Sequence, residues 1–199
     1  CRATKLLQNV HTIVPPAPQI AVTTLPVFEF TSALCQSTDL TIAQIITENV
    51  SCLHDYTLNV SQMRFIEGSP VIILSGAGLE NFIEIAPSLS QTVIDASASI
   101  ELHECESHHA HEGHHHDLDS HIWLSPDNAK IMAKNICSGL CSTFPQYAEV
   151  FIANLETLMQ KLDALSVYGS KTLAQLHCRD LITFHDGFHY FADAFDLTI

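Results

Sequence analysis

The stretch VIILSGAG, residues 71–78, is an unbroken apolar run closed by two glycines. A strand with one wet face alternates apolar with polar residues, whereas a continuous Val/Ile/Leu run suits a parallel strand covered on both faces. Gly76-Ala-Gly78 then turns the chain, and the spacing predicts a helix over Leu79–Ile85. G-x-G also opens phosphate-binding loops, but the third glycine and the later acidic partner are missing, so the reading is a tight turn.

Outward from this stretch the pattern repeats. On the N-terminal side, Ile20–Thr24 and Leu40–Ile46 are β-branched runs that predict strands, while Phe28–Leu34 and Val60–Ile66 have helical spacing. On the C-terminal side Thr92–Asp95 predicts another strand, and Leu181–Phe184 is again a buried-strand pattern. Ser125-Pro126-Asp127 reads as an N-cap with proline at the first helical position, opening a helix whose apolar face holds Ala129, Met132, Ala133, Ile136 and Leu140. From Pro145 to about Leu176, with Phe151, Leu155, Leu158, Leu162 and Leu165 spaced by three and four, a continuous helix would measure about 45 Å. Such a rod suggests a spine between two lobes, with Gly169 as a candidate bend. Phe188, Phe191, Ala192 and Phe195 form the apolar face of a closing helix. Strands alternating with helices imply an α/β fold with a largely parallel sheet, whose ligands gather at the carboxyl ends of strands.

The chemistry concentrates in ELHECESHHAHEGHHHDLDSHIWLSP, residues 101–126. His103, His108, His109, His111, His114, His115 and His116 stand among Glu101, Glu104, Glu106, Glu112, Asp117 and Asp119, with almost nothing apolar to bury. Imidazole nitrogen and carboxylate oxygen are the donors preferred by borderline divalent metals, zinc above all. The run is internal and interrupted by acids, unlike a purification tag, and the bland alternative is a solvated polar loop. His121 differs, because it sits where this loop enters packed structure beside Trp123, a place for a fixed ligand. His54 and His185 both follow predicted strands, at carboxyl ends where ligands gather. His11 and His177 read as exposed or capping, and His189 as packing beside Tyr190.

Length and charge narrow the function. The chain has 199 residues, 47% of them apolar, enough for one large domain or two small ones. Eight basic against twenty-two acidic residues give a net charge of -14, which disfavours nucleic acid and favours the approach of cations. No run of eighteen apolar residues appears. The chain begins at Cys1; one reading is a cysteine lipidated after signal cleavage, with a tether to residue 18, and the other is an arbitrary boundary. Seven cysteines lack C-x-x-C spacing, so neither a structural zinc site nor a redox motif is expected, and Cys137 and Cys141 read as small buried side chains.

Taken together, TTLPVFEFTSAL at 23–34, HDY at 54–56, GAGLENFIE at 76–84, the acidic histidine-rich loop, HIWLSPDNAKIMAKNI at 121–136 and TFHDGFHYFADAFDL at 183–197 resemble a known family. It is the metal-binding solute-binding lipoproteins of ABC importers, the cluster A-I family, in its zinc branch. The resemblance runs from about Ile20 to the end. It implies two lobes with parallel sheets joined by a long backbone helix. The expected division is a tether at 1–18, a first lobe at 19–125 with the histidine-rich loop at 101–120, a helical region at 126–178, and the start of a second lobe at 179–199. It implies that His54, His121 and His185 ligate the metal, and the histidine at the third position favours Zn2+ over Mn2+. Asp55 and Asp186 are candidates to orient these imidazoles, and the loop histidines are candidate weak ligands. The implied protein is not an enzyme; it works outside the cytoplasmic membrane, with an importer permease as partner and the membrane touched only through lipid on Cys1. Leu53 stands where the family commonly has proline. Family members continue for roughly another hundred residues, a domain's worth, so the second lobe is expected to be incomplete here.

Two other readings stand beside this one. A zinc buffer or surface adhesin of the same fold shares the site without the transport. His185-Asp186-Gly187-Phe188-His189 is H-D-x-x-H, close to the zinc-protease H-E-x-x-H, with His185 and His189 sharing a helix face and Asp186 as general base. Against it, Asp is one methylene short, Gly187 weakens the first turn and no third ligand follows at a familiar spacing.

Overall fold

The computed structural model of the chain describes residues 18–47, 56–80, 91–103, 118–185 and 187–199. Four short strands, β1 (Ile20–Val22), β2 (Ile42–Gln44), β3 (Val71–Leu74) and β4 (Thr92–Asp95), form one parallel sheet in the order β2-β1-β3-β4. Ile20 pairs in register with both Ile42 and Val71, and Val71 with Thr92. Side chains alternate along each strand, so Ile20, Val22, Val71, Ile73 and Ile94 join one core cluster while Ala21 and Ile72 join a second. The first cluster takes in α1 (Leu25–Leu34), α3 (Pro126–Thr143) and Phe151 of α4 (Ala148–Leu173); the second takes in Ile66 of α2 (Val60–Gly68) with Ile45 and Ile46. Helices on both faces explain why residues 71–73 never alternate: Val71, Ile72 and Ile73 are all 0% exposed.

The helix ends follow the sequence signals. The Asn59 side chain accepts from the Gln62 N–H while the Gln62 side chain accepts from the Asn59 N–H, a capping box that opens α2. Ser125 caps α3 by accepting from the Asn128 N–H, with Pro126 in its first turn. The predicted rod starts at Ala148 rather than Pro145, because Pro145–Tyr147 winds as a 3-10 turn. Its 26 residues span about 39 Å. Gly169 lies within this helix and serves close packing rather than a break: a Cβ there would lie 2.3 Å from the Phe195 ring. Arg179 fastens the same corner, donating to the carbonyls of Leu173, Phe195 and Asp196 and so tying the end of α4 to the end of α5 (His189–Ala194).

Two predicted elements differ. Leu181–Phe184 is not a strand: a single parallel bridge, Asp180 with Thr198, is the pairing beside it, and Ile182 and Phe184 are 86% and 106% exposed. An apolar run becomes a strand only where a neighbour takes up its N–H and C=O groups, and here the neighbour is Thr198 alone, which accepts from the Leu181 N–H at 2.7 Å at the start of the run. Leu79 and Glu80 lie in a turn instead of a helix, and 81–85 fall outside the described residues.

The order β2-β1-β3-β4 places the topological switch between β1 and β3, where open parallel sheets bind ligands. Here the crevice is filled by Glu80. Its carboxylate accepts from Thr23 Oγ1 at 2.6 Å, the Ser75 N–H at 2.8 Å and the Gly76 N–H at 2.9 Å. Gly76, Ala77 and Gly78 all have positive φ (82°, 54° and 73°), and a Cβ on Gly76 would lie 2.1 Å from Asp95 Oδ1. The G-x-G is therefore a left-handed turn packed against Asp95 and Ser97, with an internal carboxylate where a phosphate would otherwise sit.

Candidate metal centre

His121 is held before any cation is considered. The chain leaves the histidine-rich stretch at Asp119, whose side chain is buried and whose Oδ1 accepts from the His121 N–H at 2.9 Å and lies 2.8 Å from His121 Nδ1. An aspartate two residues before an N–H it can reach is an ordinary local turn; here the same oxygen also takes the imidazole. That contact assigns the Nδ1 proton to the Asp119 side and leaves Nε2 as the free donor. Burial pushes the Asp119 carboxyl up, but the hydrogen bonds from the His121 ring and N–H and the nearby imidazole charges outweigh it and hold it below its ordinary 3.8. Its other oxygen, Oδ2, is buried without a hydrogen-bond partner among the described residues. Tyr190 on α5 donates to the Asp119 carbonyl at 3.0 Å, and Trp123 lies tilted beside the imidazole with ring centroids 5.3 Å apart.

His185 arrives from the segment that precedes α5. Its Nε2 lies 3.0 Å from His121 Nε2, with the rings 83° from coplanar and their centroids 4.9 Å apart. Two nitrogens ligating one tetrahedral zinc at about 2.0–2.1 Å stand about 3.3 Å apart, so this pair needs little rearrangement to share a cation. Gly187 permits the approach, because a Cβ there would lie 2.6 Å from His121 Nδ1. The glycine that weakens H-D-x-x-H as a helical motif is thus the residue on which the His121 ring rests.

Of the predicted ligands, His121 and His185 are brought together, while His54 lies outside the described residues, as do Asp55, Asp186 and the loop histidines His108, His109, His111, His114, His115 and His116. His103 is described, with Nε2 3.1 Å from Asp193 Oδ2. Among the described residues no three His, Cys, Asp or Glu side chains converge as they stand. The protease reading is corrected by the helix boundary: α5 begins at His189, so His185 and His189 do not share a helix face. Asp119 and Gly187, which bear on the His121 ring, are the residues that sequence reasoning missed; the D-x-H spacing at 119–121 was the signal for the first. Cys137 is buried and Cys141 half-buried, their sulfurs 4.0 Å apart, and burial pushes the Cys137 thiol up to about 12, which makes it an inert core side chain.

This is a parallel α/β lobe in which two imidazoles, 64 positions apart in sequence, come together beside α5. Residues 20–199 match the model of the ZnuA family, described as zinc-uptake complex component A, periplasmic, and the chain belongs to that family. A Treponema pallidum (strain Nichols) protein whose name describes metal binding is 30% identical over 168 residues, covering 78% of this chain and 52% of its own length. The zinc-binding lipoprotein AdcA of Streptococcus pneumoniae serotype 4 is 26% identical over 186 residues, covering 87% of this chain and 36% of its own. The crystal structure of Zn(II)-bound AdcA from Streptococcus pneumoniae superposes with a TM-score of 0.78 at 23% identity, over 91% of this chain and 38% of that one, and shows the fold to be shared. The chain spans about half the length of the first of these relatives and about a third of the second.

Proposed function

We propose that this chain is the metal-capturing part of an extracytoplasmic zinc-binding protein that takes up Zn(II) through His54, His121 and His185 and passes it to the permease of an ABC importer. The observation that carries the reading is the 3.0 Å approach of two Nε2 atoms, 64 positions apart in sequence, one of them aimed by a buried carboxylate. Neutral imidazoles suit zinc better than oxygen-preferring metals such as Mn(II). The residues of this chain bind, orient and release; no bond of a substrate is made or broken, so the protein is not an enzyme. We propose further that 19–125 form the first lobe, 126–178 the helical link and 179–199 the opening of a second lobe, with lipid on Cys1 as the membrane attachment. No helix among the described residues is long and apolar enough to cross a membrane.

The test is zinc affinity of the untagged chain, measured by competition with a chromophoric chelator, for wild type, H54A, H121A and H185A. Each substitution is expected to weaken the tightest site by about a hundredfold or more, since one neutral donor of three is removed. Zinc uptake by a strain lacking the gene should be restored by wild type and not by H121A. Undiminished affinity in H121A or H185A would sink the reading.

A further inference from the structure

Asp119 aims the His121 ring, and its own backbone is held from two sides. The buried Asp119 donates its N–H to the His103 carbonyl at 2.9 Å, and its carbonyl accepts from Tyr190 Oη at 3.0 Å. The same hydroxyl accepts from the His103 N–H at 3.0 Å. His103, Asp119 and Tyr190 therefore close a ring of three hydrogen bonds, with one side-chain oxygen serving both passages of the backbone. Tyr190 is buried in the first core cluster together with Ile122, so packing fixes its ring independently of the bonds its hydroxyl makes. It stands on α5, in the continuous segment that carries His185 and Gly187.

We propose that Tyr190 is a positioning residue of the metal centre: its hydroxyl ties the 119–121 turn to the segment bearing His185, and so sets the separation of the two imidazoles. The chain of contacts is short. Tyr190 holds the Asp119 backbone, and Asp119 Oδ1 holds both the N–H and the ring of His121. On the other side, α5 begins four residues after His185, whose Nε2 lies 3.0 Å from that of His121. The tie requires a hydroxyl. A phenol oxygen is donor and acceptor at one atom, which is what a carbonyl and an N–H meeting at one point need, whereas phenylalanine fills the same space and serves neither. Two backbone groups that lose their partner must find others, and here that moves the turn. A binding constellation tolerates displacements of about 0.5 Å, so even a small movement of the turn is felt at the ion. The identity of the ion rests on the zinc reading above; the tie itself rests on the three hydrogen bonds.

The test is Y190F in the full chain. Its zinc affinity, by chelator competition, is expected to fall about tenfold, the lower end of the loss when a group that orients a ligand is disturbed. Because the tie acts on the relation between two ligands, Y190F should cost nothing further in an H121A or an H185A background. Wild-type affinity in Y190F overturns the proposal, and so does an equal loss in either background, which would mean a general weakening of the fold. Histidine-ring 1H–15N spectra of zinc-free Y190F should show the His121 signals moved, H121A identifying them by their disappearance, while the strand amides overlay on wild type. Unmoved His121 signals overturn the tie whichever ion binds. Moved signals together with undiminished affinity in H121A place the failure in the zinc reading and leave the tie standing. The wild-type protein gives a second measurement that does not depend on how Y190F folds. Coupling between sites is reciprocal, so one equivalent of Zn(II) should slow amide hydrogen exchange at His103 by about the same tenfold factor. An exchange rate unchanged by zinc overturns the proposal.

Discussion

Gly187 and Asp119 hold one imidazole between them, the first by lacking a side chain and the second by supplying an oxygen. Replacing Gly187 with alanine puts a Cβ 2.6 Å from His121 Nδ1, so the ring must leave either the glycine or Asp119. D119N keeps an acceptor for the His121 N–H but removes the negative charge that favours the Nδ1–H tautomer. Each change is expected to weaken zinc binding by about 10–100-fold, the usual consequence of disturbing a group that orients a ligand. Chelator competition measures the loss, and the His121 ring signals should move in both variants without zinc. Wild-type affinity in D119N would mean that Trp123 and His185 suffice to aim the ring. His121 and His185 stood out in the sequence for different reasons, the first where an acidic histidine-rich loop enters packed structure and the second at the end of an apolar run. Asp119 was legible only as one acid among many, and Gly187 only as a helix breaker, since their roles arise when 119–121 folds against a segment far along the chain.

At the level of elements, the strands before residue 100 were readable because β-branched and apolar runs punctuated by turn residues mark strands without reference to their partners, whether buried like Val71–Ile73 or largely exposed like Thr92–Asp95. Leu181–Phe184 carries the same mark and fails, because periodicity reports that a segment is apolar and not that a neighbour waits for it. Where elements do meet, α3 and β4 approach closely: a Cβ on Gly139 would fall 2.6–2.9 Å from Cδ1, Cγ1 and Cγ2 of Ile94. Alanine gains up to about 1 kcal/mol over glycine within a helix. Here the contacts reach the branch point of Ile94, which cannot swing away as a chain tip can, so overpacking of about 1–3 kcal/mol is expected to prevail. G139A should therefore lower the urea midpoint, and I94A should relieve part of that loss, so that the double variant is more stable than the sum of the two single effects predicts. Strict additivity would show that α3 simply slides outward along the sheet.

The whole molecule carries a carboxyl inside its sheet crevice, and that sets a dependence of stability on pH. The sequence placed Glu80 within a helix; only the adjacency of β1 and β3 shows that Thr23, Ser75 and Gly76 surround it. Burial pushes its carboxyl up from 4.5 to about 7 despite hydrogen bonds from those three donors, with the charge of Asp95 adding to the rise. Below about 4.5 the group is protonated whether the chain is folded or not. Between 4.5 and about 7 the unfolded chain gives up the proton while the folded chain keeps it, so stability from this group falls as pH rises through that window and is flat above it. The full change is on the order of 3 kcal/mol. Asp119 behaves in the opposite sense, its stabilisation being lost only as pH falls below its ordinary 3.8, so the two windows do not overlap. Urea midpoints of wild type and E80Q, taken with chelator present between pH 4.5 and 8 so that zinc linkage is removed, isolate the effect because the histidines cancel in the difference. Wild type should gain on E80Q steadily as the solution is acidified from pH 7. Parallel curves would mean that the three donors keep Glu80 ionised throughout, and the crevice would then hold a permanent negative charge.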